Sequence, residues 1–146
     1  MPKIEGLEIA GATLLSIEDA EALPLRLREY NYWWWLRSPG DDSYSTASVY
    51  CDGSINYCGA SCDYCGDAVR PALKIKNLES SNFEIGNIFI FGGKKFEIIS
   101  KNLAFCLEDI GRHCFQKDCW LTDANDYEES TVKKYIDEWF EKACQN

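Results

Sequence analysis

The chain reads as a mixed α+β protein with a largely antiparallel sheet, an N-terminal helix and a C-terminal amphipathic helix. Three stretches predict this. Tyr32-Trp33-Trp34-Trp35-Leu36-Arg37-Ser38-Pro39-Gly40 is an aromatic strand that runs into turn residues. Ile88-Phe89-Ile90-Phe91 and Phe96-Glu97-Ile98-Ile99 flank Gly92-Gly93, the pattern of a tight hairpin. Val132, Tyr135, Ile136, Trp139, Phe140 and Ala143 recur at helical spacing and form one apolar face. At 146 residues the chain suits a single domain, with residues 14–75 as one half and 85–143 as the other.

Residues 14–23 predict a short helix, with Ser16 as N-cap, Asp19 three residues on and acidic side chains in the first turn. Pro24 stops it or opens a further helical turn over 25–30. In the aromatic strand, Trp33 and Trp35 should face one side and Trp34 the other. At least two of the three belong in a core, which leaves one to floor a surface. Arg37 has the planar fork to bond loop carbonyls. Residues 45–50 predict a strand, Asp52-Gly53 a hairpin turn and 54–58 the return. Val69-Arg70-Pro71-Ala72-Leu73-Lys74-Ile75 is a further strand, expected in one sheet with the tryptophan strand and with both helices packed on the core. After a polar connector (76–84) and the hairpin, residues 103–107 add a third strand. The last helix is expected from about 128 to 143, with Asp126 and Glu129 as its capping box.

A net charge of -9 argues against a nucleic-acid partner, because phosphate binding is driven by Lys and Arg. It leaves room for a basic protein partner. Met1-Pro2-Lys3-Ile4-Glu5-Gly6 lacks the basic-then-apolar pattern of a signal peptide, and no run of about 20 apolar residues occurs. The protein is therefore expected to be cytoplasmic where it is made, without a membrane partner. The sequence leaves its oligomeric state open.

From 41 to 68 the composition changes. The stretch uses ten residue types (Ala, Cys, Asp, Gly, Ile, Asn, Ser, Thr, Val and Tyr), while Lys, Glu, Leu, Arg, Phe and Trp are missing from it and fill its flanks. A Tyr-, Ser-, Gly- and Asp-rich segment in a conventional frame has the chemistry of a recognition surface. Tyr supplies contact area at low entropy cost, and small polar residues supply adaptable hydrogen bonds. Tyr50-Cys51, Tyr57-Cys58 and Tyr64-Cys65 recur every seven residues. Either successive turns present tyrosines side by side, or the echo is a coincidence of a narrow alphabet.

Eight cysteines in a chain without an export signal are expected to be mostly free thiols. Cys62-Asp63-Tyr64-Cys65 is a C-x-x-C, and with Cys51 and Cys58 it supplies four thiolates. The six residues between Cys51 and Cys58 do not match the close second pair of a zinc ribbon, so no metal and no other cofactor is expected. His113, the one histidine, neighbours Cys114 and lies near Cys106 and Cys119 in sequence. A solvated turn histidine is the simpler reading than a Cys–His dyad, and no nucleophile elbow supports a serine triad. The chain is read as a non-enzyme. Asp41-Asp42 is read as a turn, since calcium needs oxygen ligands from more positions.

Trp34-Trp35-Leu36-Arg37-Ser38-Pro39-Gly40, Asp52-Gly53-Ser54 and Val69-Arg70-Pro71-Ala72-Leu73 resemble the WWLRSPG…DGS…VRPAL signature of a large uncharacterised family of Firmicutes and their phages. Residues 14–20 are similar to the helix that precedes it. The signature resembles the end of the C-type-lectin-like fold shared by formylglycine-generating-type domains and hypervariable phage receptor-binding proteins. Ile85-Gly86, the run from Phe91 to Ile99, and Asn125-Asp126-Tyr127-Glu128-Glu129-Ser130 resemble a segment that in many members precedes WWLRSPG. The resemblance thus implies a permuted order. It matches no residue here to the paired-cysteine copper site of the formylglycine-type enzymes, nor to the Pro-flanked calcium motifs of sugar-binding lectins. In the phage proteins, mutation of adenines in codons yields a residue mixture that includes all ten types found in 41–68. The segment is then either diversified, now or ancestrally, or an ordinary polar loop.

The leading expectation is a non-enzymatic ligand- or protein-binding module, phage- or prophage-associated and virion-borne. Tyr44, Tyr50, Tyr57 and Tyr64 would be its anchors, and Asp52, Asn56 and Asp63, with Asp42, its polar contacts. The alternative is a small acidic intracellular inhibitor of a basic host surface, of the anti-defence kind. A third reading is a cysteine-based metal protein or enzyme.

Overall fold

The computed structural model describes residues 3, 4, 6–118 and 124–145, the first two by backbone alone. The chain is mixed α+β and packs as two compact units. One comprises the chain up to Thr13, residues 70–110 and the chain from Ile136; the other comprises 14–69 and 111–135.

The first unit is a six-stranded antiparallel sheet. Its strands are β1 (Lys3–Ile4), β2 (Leu7–Thr13), β6 (Ala72–Ile75), β7 (Ile88–Phe91), β8 (Lys94–Ser100) and β9 (Leu103–Cys106), in the order β1-β2-β6-β9-β8-β7. The expected hairpin is present, with Phe91 opposite Lys94 across Gly92 and Gly93 at φ +60° and +79°. Both values lie where a glycine meets no steric cost, as a primed two-residue turn requires. Leu7, Ile9, Leu73, Phe89, Phe91, Phe96 and Ile98 build its core. Trp139 and Phe140 of the last helix, α3 (Thr131–Cys144), pack on Phe91 with ring centroids 5.9 and 5.6 Å away.

The second unit holds the antiparallel sheet β3 (Trp34–Pro39), β4 (Ser45–Val49) and β5 (Ile55–Ser61), in that order. Two short helices precede it, α1 (Ile17–Glu21) and α2 (Leu25–Arg28), separated by Pro24 as the sequence predicts. Ser16 and Asp19 form the anticipated capping box, with Ser16 Oγ accepting from the Asp19 N–H and the Asp19 carboxylate accepting from the Ser16 N–H. The Arg37 guanidinium donates to the Leu14 carbonyl at 3.1 Å, as expected of a planar fork beside a loop.

Three expectations need correction. The tryptophan strand and the strand ending at Ile75 lie in different sheets. Ala68, ahead of that second strand, makes an isolated parallel bridge to Trp34, after which the Val69 N–H donates to the Gly111 carbonyl. Pro71 has no N–H with which to continue that ladder. Secondly, Trp33 falls just outside β3 and is 42% exposed, so it takes no part in that strand's alternation, whereas Trp34 and Trp35 are both fully buried, the two core tryptophans expected. Thirdly, Asp126 caps a 3₁₀ turn (Tyr127–Glu129), and α3 starts only at Thr131. Buried Ser130 supplies the oxygen that accepts from the Lys133 N–H at 3.0 Å.

Candidate recognition surface

Segment 41–68 is built around β4 and β5. All five residues of β4 are buried, including Ser45, Thr46 and Ser48, so the polar alphabet of the segment does not make it a loose loop. In β5 four residue steps (56 to 60) span two steps of β4 (46 to 48), so the strand bulges between Asn56 and Ala60. Asn56 Oδ1 holds the bulge by accepting the Gly59 N–H at 3.1 Å, and Gly59 sits at φ +95°. The Asp41 N–H donates to the carbonyl of Cys58, on the same bulge. A Cβ on Gly40 would lie 2.3 Å from that carbonyl oxygen, so the turn after the tryptophan strand passes here only as glycine.

The predicted contact residues divide into two groups. Tyr44, Tyr57 and Tyr64 are 50%, 51% and 53% exposed. Tyr57 donates its hydroxyl to Glu21 at 2.7 Å, and that bond raises its phenol above the usual range. Tyr50 is half-buried, edge-on to Trp33 with centroids 4.7 Å apart. The polar members are engaged locally. Asp52 accepts from the N–H and hydroxyl of Ser54, which holds its carboxyl below the ordinary value. Asn56 also donates to Ser48 Oγ, and Asp63 accepts from the Ser61 hydroxyl. Asp52 and Asn56 thus shape the turn and the bulge that set the tyrosines. The Tyr-Cys echo is no structural repeat: its pairs fall at a hairpin end, inside a strand and in a loop.

The C-x-x-C cysteines do not converge. Cys62 is buried with its sulfur 3.2 Å from Thr46 Oγ1, whereas Cys65 is disulfide-bonded to Cys114. Cys51, Cys58, Cys62, Cys106 and Cys144 form no disulfide, as expected of most of the cysteines, and Cys65 and Cys114 are the exception; Cys119 lies outside the described residues. Burial pushes the Cys106 thiol up to about 12, and the bond from Asp41 raises Cys58. Among the described residues, no group of three or more His, Cys, Asp or Glu is placed to hold a metal. His113 is half-buried, where a solvated turn residue was expected. Its ring stacks on Tyr135 at 4.5 Å, and its sequence neighbour Cys114 is taken up in the disulfide.

A recess of about 220 Å³ opens in the second unit between Tyr32, Trp33, Tyr64 and Arg112. The three rings stand roughly half exposed around it. The Arg112 guanidinium lies over the Tyr32 ring, 4.7 Å from its centroid. Asp67 lines the recess yet is 1% exposed, and neither of its carboxyl oxygens accepts a hydrogen bond. Burial alone lifts its carboxyl to about 7. Its backbone is pinned on two sides: Ala68 N–H donates to Trp33 O, and His113 N–H donates to Asp67 O. A larger recess in the first unit, about 420 Å³, is lined by Asn77, whose amide accepts from the Glu8 N–H and donates to the Gly6 carbonyl, and by Asn102, whose amide oxygen accepts from the Ser100 hydroxyl.

Sequence reasoning missed Tyr32, Asp67 and Arg112. The available signal was an acid set directly against the apolar start of a signature strand, Asp67-Ala68-Val69. Among the described residues no helix is long and apolar enough to cross a membrane. No curated protein and no solved structure matches the chain. Residues 10–77, which leave the six-stranded sheet on β2 and rejoin it beside β2 on β6, match the family model described as a domain of unknown function (DUF6273).

Proposed function

We propose that this chain is a non-enzymatic recognition module of C-type-lectin-like character, phage- or prophage-associated, that binds a protein or cell-surface ligand through segment 41–68. The observation that carries the reading is a contrast within that segment. Its strand β4 is wholly buried, while Tyr44, Tyr57 and Tyr64 are half exposed. Rigid backing with outward aromatic side chains and small polar neighbours is how recognition surfaces limit the entropy cost of binding. The Cys65–Cys114 disulfide adds support, because a stable disulfide suits work outside a reducing compartment, as on a virion.

Sequencing close relatives from related genomes tests the diversified form of this reading. Differences should concentrate at exposed positions such as Tyr44, Tyr57, Asp63 and Tyr64, against constant stretches 34–40 and 69–75. Uniform divergence along the chain would remove diversification and favour an acidic inhibitor of a basic host surface.

A further inference from the structure

We infer that the recess beside Tyr64 binds an organic cation, a primary ammonium or a guanidinium, with Asp67 accepting its N–H groups and Tyr32, Trp33 and Tyr64 enclosing it. The inference rests on the recognition reading of segment 41–68 and gives the chemistry of one pocket there.

Four observations converge. A carboxylate at 1% exposure without a hydrogen-bond donor is an incomplete site, because a buried polar group is ordinarily partnered. Asp67 cannot easily turn to water, since its backbone is held by neighbouring chain on both sides and the Cys65–Cys114 disulfide closes nearby. Aromatic faces around a carboxylate are the environment that organic cations prefer. Lastly, the rim already takes a cation: Arg112 is stacked on Tyr32, away from bonding with Asp67. Tyr64 is folded over Gly66, where an added Cβ would meet its hydroxyl at 2.4 Å, so glycine gives this ring its place at the mouth. An anion drawn by Arg112 would meet the buried carboxylate, and a neutral ligand would leave its charge uncompensated.

The test titrates the full chain, disulfide intact, at pH 8, above the raised Asp67 value so that the carboxyl is ionised, with n-butylammonium, n-butylguanidinium, n-butanol and butyrate, followed by the indole N–H signals in NMR. A Gly-Gly-Lys-Gly-Gly peptide separates a protein side chain from a free amine as the source of the cation. Saturable millimolar binding of a cation is expected, without saturation by butanol or butyrate. Asp67→Asn should weaken it at least tenfold, with the Trp34 and Trp35 indole signals unmoved to show that the fold is kept. Arg112→Ala should leave cation binding in place. Equal binding by Asp67→Asn, butyrate binding that needs Arg112, saturation by butanol, or no saturation by either cation would each overturn the inference. Tyr44→Ala with Tyr57→Ala, which lie outside the recess, should not change this titration. If that double variant still recognises a cellular target fully, the wider surface reading fails while the cation pocket stands.

Discussion

Asp67 is the residue whose chemistry is most at odds with its surroundings. Its carboxyl is raised to about 7 by burial, against an unfolded value near 3.9. A raised acid holds its proton in the folded chain after the unfolded chain has lost it. Stability should therefore fall as pH rises from about 4 to about 7 and level off above, by on the order of 4 kcal/mol for this group. Asp67→Asn should flatten that slope and exceed the parent in stability at pH 8, as measured by urea unfolding at pH 5, 6, 7 and 8. A parent and an Asp67→Asn variant with the same pH slope would show that Asp67 is paired. Tyr44 and Tyr64 are half exposed, so replacing either with Ala should change stability by less than about 0.5 kcal/mol. Trp35 is fully buried, with its indole N–H donating to the His113 carbonyl at 2.8 Å, so Trp35→Ala should cost about 3–5 kcal/mol. Equal losses from both substitutions would make the tyrosines structural.

Among the elements, α3 depends on a cap that is buried, not exposed. Ser130→Ala should cost about 1 kcal/mol, since it frees the Lys133 N–H. Asp126→Ala, at a 3₁₀ turn, should cost less; the reverse ranking in thermal melts would return the cap to Asp126. The Cys65–Cys114 disulfide closes a loop of 49 residues around β6 to β9, and loop-closure entropy assigns it roughly 4 kcal/mol. Adding dithiothreitol should lower the denaturant midpoint accordingly, and Cys65→Ser should show no further response. Gly40, whose Cβ would strike Cys58 O, should tolerate no side chain, whereas Gly66→Ala should displace Tyr64 before it harms the fold.

For the whole molecule, the net charge of -9 separates the two recognition readings. Contacts made by buried aromatic anchors are little affected by salt, while long-range attraction to a basic surface is screened over about 8 Å at physiological ionic strength. Target affinity should therefore change by no more than about threefold between low and high salt if the tyrosines carry it. A loss beyond about tenfold would mark the chain as an acidic mimic.

What the sequence by itself determined is what acts over a few residues. The Ser16–Asp19 capping box, the Pro24 break, the Gly92-Gly93 turn and the apolar face of α3 depend on neighbours three or four positions away, and each was legible. The antiparallel α+β character followed from those elements. The tertiary structure alone decided which strands share a sheet: Ala68 bridges Trp34 and Arg112, and the Val69 N–H bonds to the Gly111 carbonyl, partners far away in the sequence. It also decided that Ser130 and not Asp126 starts the last helix, because the Thr131 hydroxyl and the Val132 N–H both bond to the Phe115 carbonyl. The disulfide partner of Cys65 lies 49 positions away, and no local spacing encodes such a pairing. Tyrosine exposure followed composition, but the recess did not. Tyr32, Trp33, Tyr64, Asp67 and Arg112 come from three separate stretches, and a carboxylate becomes a site only when packing removes its water and leaves it without a donor.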